Sequence, residues 1–511
     1  MKIFVRLALA LGFVSVGMPS LATASASDPF AYDSSFYGGS PIDDGFNGIT
    51  NEGYYAQKLV RLADGDVVVA GLVPTYQGHS QGNGQYNLGL VRYGSNGERV
   101  SWSHPTSIYA HFNDIYLILP AANGHYTAIR DIKEIGSYIY VLADYQVSAT
   151  NTDVYILAFG LDGSLVGNYA AFTTSVYETG GGLIGYAYPN CPGVTPCNAV
   201  IAVATYLTDA GRTIITAKRF LVGGGPPPGF VPNGTLSVDT TFGPYHNGAN
   251  DYALPNFGCA AGSNCSIRAV GVAAVRTTTG TPTLYIGGER LYQDQDRDPV
   301  VVAVDGNSGN LISNFADSGF SIHPFDLADH SNDVSIGIAA GTQGDRSTDE
   351  IYMLSKVEVI CHSSVGIGVL KLDGNGALVN SFWAGGQHAF GGDNSGACTG
   401  GGEADTPSAL ALDGNRLAIV GTRRLSASPG AFEPLLATLS TTDGAVTDFR
   451  VQPPLRQDGT PWSPGNGWND VVASGNGTFT ATGALIDQFL SPPIFGTARL
   501  RSDRIFANGF E

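Results

Sequence analysis

Short apolar runs separated by turn residues recur along the whole chain. One unit opens with Lys58–Leu62, turns at Asp64-Gly65 and continues with Val67–Gly71, and the same shape returns at Ala409–Gly421. Runs of Val, Ile and Leu bounded by Gly, Asn and Asp are typical of β-strands joined by tight turns. The pattern therefore predicts an all-β protein.

Asn-Gly and Asp-Gly pairs follow the third run of most units, and such pairs between apolar runs are the strongest short-range signal for a hairpin. The turn glycines stand at positions 97, 163, 234, 309, 376 and 444, so the intervals run from 66 to 75 residues. A seventh copy fits Asp470–Leu500. Because one four-stranded sheet cannot bury its faces alone, radial repetition is the expected solution. We predict a seven-bladed β-propeller of four-stranded antiparallel blades, with six or eight blades left open.

The two ends of the chain complement each other. Asp33–Gly39 matches the closing run of a unit but has no preceding runs, whereas the seventh unit has no good closing run. Propellers must protect their sheet edges, so we predict that an N-terminal strand closes the ring. The propeller domain then covers residues 27–505, and residues 506–511 form a C-terminal tail that ends in Gly-Phe-Glu.

The repeat resembles the delta-60-type repeat of secreted bacterial propellers. The resemblance is carried by the apolar runs around Asp-Gly turns and by the segments Asp239–Gly243, Leu311–Phe315 and Asn380–Phe382, which are similar to the Asp-x-x-Phe-Gly end of that repeat. Most copies lack the Asp before the Phe. The resemblance covers roughly residues 30–505 and implies the propeller fold, with little chemistry attached to it.

Composition narrows the function classes. The 511 residues include 69 Gly, only 14% are charged, and 44 acidic against 26 basic residues give a formal net charge of −18. An acidic chain lacks the basic face that the phosphate backbone of a nucleic acid demands. We therefore expect no nucleic-acid partner.

Residues 1–26 have the features of a cleaved signal peptide. Lys2 and Arg6 precede the apolar stretch Leu7–Met18, and Ala22–Ala26 fits the small-residue cleavage rule. The stretch is too short to span a bilayer stably, and no later stretch is long enough. An N-terminal anchor is the alternative. We predict a secreted, periplasmic or cell-surface monomer without a membrane span.

The six cysteines suit an oxidising compartment. Their even number and spacing suggest two small loops and one longer link, whereas a zinc site would be expected to show Cys-x-x-Cys. The predicted disulfides are Cys191–Cys197, Cys259–Cys265 and Cys361–Cys398.

Blade topology divides the connections between two faces of the ring. The turns between the first and second and between the third and fourth strands of a unit form one face, which we call the turn face. The remaining loops form the other, which we call the loop face, and the sequence places all nine histidines there. Long loops on a rigid scaffold are where binding residues usually lie. The binding candidates are His79, His111, His125, His246, His330, His362, Trp102, Tyr292 and Trp383, with Tyr76 and Tyr245 as further rim aromatics.

Two other motifs give weaker evidence of function. Asp294, Asp296 and Asp298 resemble the opening of a calcium loop, but Pro299 stands where an EF-hand needs Gly, so a looser calcium site or a solvated acidic loop remains. No other cofactor is expected. Gly180–Gly185 fits G-x-G-x-x-G without a βαβ context, which favours a flexible connector.

The sequence contains no recognisable catalytic motif. We expect a binding module for an extracellular protein or glycan. The alternatives are a hydrolase or lyase that acts on an extracellular carbohydrate polymer, and a purely structural surface protein. A cluster of titratable groups around a central pocket would favour the enzyme, and exposed rim aromatics would favour the binder.

Overall fold

The fold is known from a computed structural model of the chain. The residues that it describes are 33, 35–37, 41–44, 55–74, 86–104, 115–117, 124–173, 177–188, 197–208, 211–223, 235–243, 250–252, 265–276, 282–292, 296–325, 327, 332–341, 346–358, 365–391, 404–424, 432–451, 465, 467–475, 477–486 and 493–501.

The described residues are almost entirely strands and turns, as predicted. The strands of the first half are β1 (Ile42–Asp44), β2 (Tyr55–Arg61), β3 (Val67–Pro74), β4 (Tyr86–Tyr93), β5 (Ile115–Leu117), β6 (His125–Ile135), β7 (Tyr138–Ser148), β8 (Asn151–Gly160), β9 (Leu165–Phe172), β10 (Glu178–Tyr188), β11 (Cys197–Leu207), β12 (Thr213–Val222), β13 (Leu236–Val238) and β14 (Asn250–Tyr252). Those of the second half are β15 (Ser266–Arg276), β16 (Pro282–Leu291), β17 (Arg297–Asp305), β18 (Phe320–Ile322), β19 (Val334–Gly341), β20 (Glu350–Glu358), β21 (Val365–Asp373), β22 (Gln387–Phe390), β23 (Ala404–Asp413), β24 (Arg416–Arg424), β25 (Phe432–Ser440), β26 (Val446–Val451), β27 (Gly467–Gly475), β28 (Thr478–Leu485) and β29 (Ile494–Arg501). Two short 3-10 turns cover Arg346–Thr348 and Ala384–Gly386.

All strand pairings within the sheets are antiparallel, and the described strands form six sheets instead of seven separate ones. β15–β18, β19–β22 and β23–β26 are four-stranded, β1 with β27–β29 makes another, and β10–β14 form a five-stranded sheet. β2–β9 form one eight-stranded sheet, because β4 and β6 pair through Tyr86 and Tyr126. The prediction of a β-propeller is confirmed. The prediction of seven four-stranded blades is wrong, since this single residue pair joins the first two repeat units edge to edge and leaves six sheets.

The first strand of each repeat unit lines a central channel. Each of these strands contacts the next around the ring, and the last contacts the first: β2, β6, β10, β15, β19, β23 and β27. Every one of them departs from regular pairing with its neighbour at one or two points, as a β-bulge does. Bulges increase the local twist, which suits strands that converge on an axis. The hydrophobic clusters lie between adjacent sheets, on both faces of the strands.

The N-terminal segment closes the ring, as predicted. β1 pairs antiparallel with β29, with Ile42 opposite Thr497. The closing strand is Ile42–Asp44 and not the Asp33–Gly39 segment in which the sequence placed it. Instead, Asp33 donates its backbone N–H to Arg499, and the buried Phe36 packs against the first unit. The ends of the described chain therefore complete one sheet together.

The turn glycines that revealed the repeat contact the preceding unit. The described ones have positive φ angles between 71° and 90°: Gly97, Gly163, Gly309, Gly376 and Gly444. A Cβ at each of them would come within 2.6–3.2 Å of an atom of the preceding unit. In every case an aromatic side chain of that unit lies against the glycine, and these aromatics are, in the same order, Phe36, Trp102, Phe242, Phe315 and Phe382. A backbone N–H one or two residues after each aromatic donates to the residue before the glycine, at 2.6–2.8 Å. We call this arrangement the turn contact. It explains why both the Gly and the Phe of the repeat recur.

Four third strands add a cation to the turn contact. The cation lies over the aromatic of its own unit and donates to a backbone carbonyl in the turn of the next unit: Arg92, Arg219, Lys371 and Arg499. Cation–π contacts and charge-assisted hydrogen bonds are strong when desolvated. These cations therefore stabilise the contact between neighbouring units at the turn face.

The glycine-rich segment Gly180–Gly185 is wrongly predicted as a connector. It lies inside β10 and lines the channel. A Cβ at Gly181 would come within 2.7 Å of Ala269, and one at Gly185 within 2.3 Å of Ile135. The glycines thus allow neighbouring strands to approach closely near the axis.

Several predictions fall on residues that the structure does not describe. The signal peptide (1–26) and the tail (506–511) lie outside the described residues, as do Cys191, Cys259, Cys361 and Cys398. Cys197 and Cys265 are disulfide-bonded, but no complete cysteine pair lies within the described residues, so the predicted pairings stay predictions. No helix within the described segments has the length and apolar character that crossing a bilayer requires.

Two histidines give the fold a pH dependence. His388 lies 2.8 Å from the carbonyl of Gly444 in the next unit, and His323 lies 3.3 Å from that of Gly376. Burial lowers the pKa of each histidine below 6.5, and the hydrogen bonds to these carbonyls oppose the shift only in part. Protonation therefore favours the unfolded chain, and the stability that is full above about pH 6.5 is lost as the pH falls below it. We expect the unfolding midpoint to drop on acidification and to drop less in His388→Asn, whose amide can still donate to Gly444. Parallel midpoint-against-pH curves for the two proteins would contradict this assignment.

Candidate binding groove on the turn face

The central channel is narrow and its polar groups are paired. It encloses a cavity of about 130 Å³. Lys133 is 2.8 Å from Asp131, and Lys58 is 3.6 Å from Asp470. The carboxylates also link adjacent strands, since Asp470 accepts from the N–H of Leu59. The charged side of the channel thus connects β27, β2 and β6.

Burial and neighbouring charges oppose each other in the titration of these channel groups. It raises the pKa of Asp470, an effect that the nearby Lys58 partly offsets. It acts to lower the pKa of Lys133, but the charges of Asp131 and Asp470 outweigh it, so the net shift is upward. The channel is a set of internal ion pairs in a small cavity, which suits ring assembly better than the binding of a large ligand.

A larger cleft of about 450 Å³ opens on the turn face between two adjacent units. One wall is formed by the ends of β19 and β20, and the other by the turns of the next unit that follow β23 and β25. The lining residues are Gly341, Glu350, Leu412, Gly414, Asn415, Thr441 and Thr442. Clefts that bind small molecules occupy about 300–1,000 Å³, so this one has the size of a ligand site.

The floor of the cleft is a fixed polar network. Glu350 accepts from Lys371 at 2.7 Å through one oxygen and from the hydroxyl of Tyr352 at 2.9 Å through the other. Lys371, which is buried, also donates to the carbonyl of Thr441 at 2.6 Å. Burial and the neighbouring Glu350 carboxylate raise the pKa of Tyr352 well above its ordinary value, so the hydroxyl keeps its proton and donates. The network holds the Glu350 carboxylate in place while its outer edge stays partly exposed.

The rim of the cleft offers hydroxyl and amide groups. Asn415 and Thr442 are exposed at the two turns, and Thr441 is fixed by donating its N–H to the carbonyl of Asn415. Asp443, the residue after Thr442, accepts from the N–H of Trp383 at 2.8 Å. Trp383 therefore lies next to the turn that carries Thr441 and Thr442.

The predicted binding residues that are described do not form one cluster. Trp102 is buried under Arg92 in a turn contact, so its prediction as a rim aromatic is wrong. Tyr292 lies on the loop face, where the guanidinium of Arg290 covers it at 4.0 Å. His125 begins β6, and burial lowers its pKa. Trp383 is 39% exposed, but it lies on the turn face and not on the loop face.

The predicted confinement of the histidines to the loop face is also wrong. His104 lies in the connection between β4 and β5, and its backbone N–H donates to the backbone carbonyl of Asp162 in a turn of the next unit. The remaining binding candidates His79, His111, His246, His330 and His362, and the aromatics Tyr76 and Tyr245, lie outside the described residues.

Of the three carboxylates that were predicted as calcium ligands, the structure describes two. Asp298 is buried and forms an ion pair with Arg290 at 2.7 Å, Asp296 lies close by, and Asp294 is outside the described residues. A cation bound there would share Asp298 with a guanidinium. Among the described residues, no group of three or more His, Cys, Asp or Glu is arranged to hold a metal ion.

Sequence reasoning did not identify Glu350, Asn415, Thr441 or Thr442 as site residues. The only signal was their position in or beside turns of two successive units. Ser440–Gly444 forms a hairpin turn, in which the N–H of Gly444 donates to the carbonyl of Ser440. Recognising the cleft requires knowing that these turns face each other across two units.

No family model matches the chain, and no curated protein matches it. Among solved structures it is similar to the phage phi92 endosialidase (10% identity, 94% of this chain and 71% of that chain, TM-score 0.44), the polysaccharide lyase Uly1 (8%, 94% and 98%, 0.42) and the Penicillium chrysogenum alpha-L-arabinanase complexed with arabinobiose (6%, 91% and 99%, 0.38). At these identities and TM-scores the likenesses say nothing about the ligand of this chain.

Proposed function

We propose that the protein is an exported binding module that takes a short glycan in the cleft between the β19–β22 and β23–β26 units. The observation that carries the proposal is the cleft itself, whose 450 Å³ are surrounded by a carboxylate, an amide and two threonines. Export rests on the N-terminal sequence, and the predicted disulfides belong to the same expectation.

The chemistry of the lining fits a polyhydroxyl ligand. The exposed edge of Glu350 accepts hydrogen bonds from sugar hydroxyls, the amide of Asn415 donates and accepts, and the hydroxyl of Thr442 does both. The network of Lys371 and Tyr352 fixes the carboxylate before the ligand arrives, which reduces the ordering cost of binding. Groups of this kind, fixed in advance, give specificity to a ligand pocket.

Binding is favoured over cleavage by the same lining. Glycoside hydrolysis ordinarily uses two carboxyl groups that flank the scissile bond. Among the described lining residues Glu350 is the sole carboxylate, and both of its oxygens already accept hydrogen bonds from Lys371 and Tyr352. A hydrolase or lyase is the alternative that turnover would reveal.

The test is a binding screen of the mature chain against short glycans, with and without calcium. We expect Thr442→Val and Asn415→Ala each to weaken binding by about 3- to 10-fold, the cost of one lost hydrogen bond. Ser95→Ala is the matched control, because Ser95 is an exposed hydroxyl residue in the corresponding turn of another unit.

Three outcomes would overturn the proposal. Product formation would make the protein an enzyme, the absence of binding across the panel would favour a structural role, and equal losses in Thr442→Val and Ser95→Ala would place the site elsewhere. If glycan binding required calcium, the acidic loop around Asp298 would become a candidate part of the binding site.

A further inference from the structure

Trp383 occupies a backbone position of positive φ, where glycine is the residue that the backbone favours. It directly follows the aromatic Phe382 of a turn contact and has φ of 52°. The corresponding residue after Phe242 is Gly243, with φ of 84°, whereas Tyr37 and Ala316 fill the position in two other units. Positive φ is costly for a bulky side chain. Tryptophan is therefore an unfavourable choice at this position for stability alone.

The indole is fixed and at the same time accessible. It stacks on the buried His388 ring at 3.8 Å, with the planes 9° apart. His388 is itself held by its hydrogen bond to Gly444. His388 covers one face of the indole, and Trp383 as a whole stays 39% exposed. The result is a rigid aromatic plate that is open on one side.

This plate lies next to one wall of the cleft. The backbone N–H of Trp383 donates to the backbone carbonyl of Asp443, whose neighbour Thr442 lines the cleft. Cleft and plate thus lie on the turn face of the same two units, and we call them together the binding groove.

We propose that Trp383 is a second subsite of the binding groove, and that the ligand is a neutral oligosaccharide of at least two sugar units. One sugar ring stacks its C–H face on the indole while its neighbour donates and accepts hydrogen bonds in the cleft. This inference rests on the proposed function of the cleft. A neutral ligand is inferred because Glu350 and the exposed Asp443 are both acidic and the chain carries a formal charge of −18, which together repel anionic sugars.

The decisive variant is Trp383→Gly, which supplies the residue that the backbone favours. We expect an unfolding midpoint that is unchanged or higher, together with a loss of about tenfold in affinity for a trisaccharide. Affinity for the corresponding monosaccharide should not change, because one unit fits the cleft alone. Trp383→Phe should retain part of the difference in affinity between the trisaccharide and the monosaccharide.

Tyr37→Gly is the matched control, because it relieves the same backbone conformation in another unit and should leave trisaccharide affinity as it is. A Trp383→Gly variant that binds the trisaccharide as tightly as the parent would overturn the subsite, and so would equal affinities of the parent for mono- and trisaccharide. Tighter binding of a uronic acid oligomer than of its neutral counterpart would overturn the ligand class. No binding of any glycan would instead refute the proposed function, so the two failures are distinguishable.

Discussion

Replacing Arg219 with alanine is expected to lower the free energy of unfolding by about 3–5 kcal/mol, the usual cost of removing one partner from a buried ion pair. The guanidinium is fully buried and lies 2.7 Å from Asp239, and it donates to the carbonyls of Gly306 and Asn307 in the next unit. Without Arg219, Asp239 loses its cation and the two carbonyls lose their donor. Denaturant titration of the mature chain measures the change.

The matched control is Arg61→Ala, because Arg61 is exposed at the end of β2. It should change the free energy of unfolding by no more than about 0.5 kcal/mol. A loss below about 1 kcal/mol for Arg219→Ala would show that the cations do not hold the units together.

The second large effect is expected for Phe315→Ala, which removes the aromatic of a turn contact. Phe315 is fully buried, its ring lies 5.8 Å from that of Tyr285, and Gly376 of the next unit packs on it. Truncation of a buried Phe costs about 3–5 kcal/mol, because the cavity adds to the lost transfer energy. The free energy of unfolding should fall by this amount.

Phe432→Ala serves as the control, because Phe432 is 40% exposed on β25. Similar small losses for the two variants would mean that the recurrent Phe of the repeat is not a structural element. A similar large loss for both would point to a general effect of removing an aromatic ring.

The sequence predicted the repeat because its signal is local. Asp-Gly and Asn-Gly turns need positive φ. Continuous apolar runs indicate strands that are buried on both faces. Both signals are visible within a single unit. The closure could also be predicted, since the first unmatched run and the incomplete last unit complement each other. The position of the closing strand was missed, because Asp33–Phe36 carries the turn-contact residues of the repeat and resembles a closing run.

The sheet count and the binding groove depend on contacts between distant residues. The merging of β2–β9 follows from one pair, Tyr86 with Tyr126, and no local pattern marks it. The groove joins Glu350 of one unit to Asn415 and Thr442 of the next. Trp383 could be found as an exposed aromatic, but its backbone strain and its stacking on His388 appear only in three dimensions.

Hydrogen exchange of the mature chain, with and without the tightest-binding oligosaccharide, tests the binding groove most directly. We expect added protection, confined to backbone amides around Glu350, the Asp413–Arg416 turn, Ser440–Ala445 and Trp383. Protection at the loop-face ends of the strands, or along β2, β6 and β27 in the channel, with none in these turns, would contradict it.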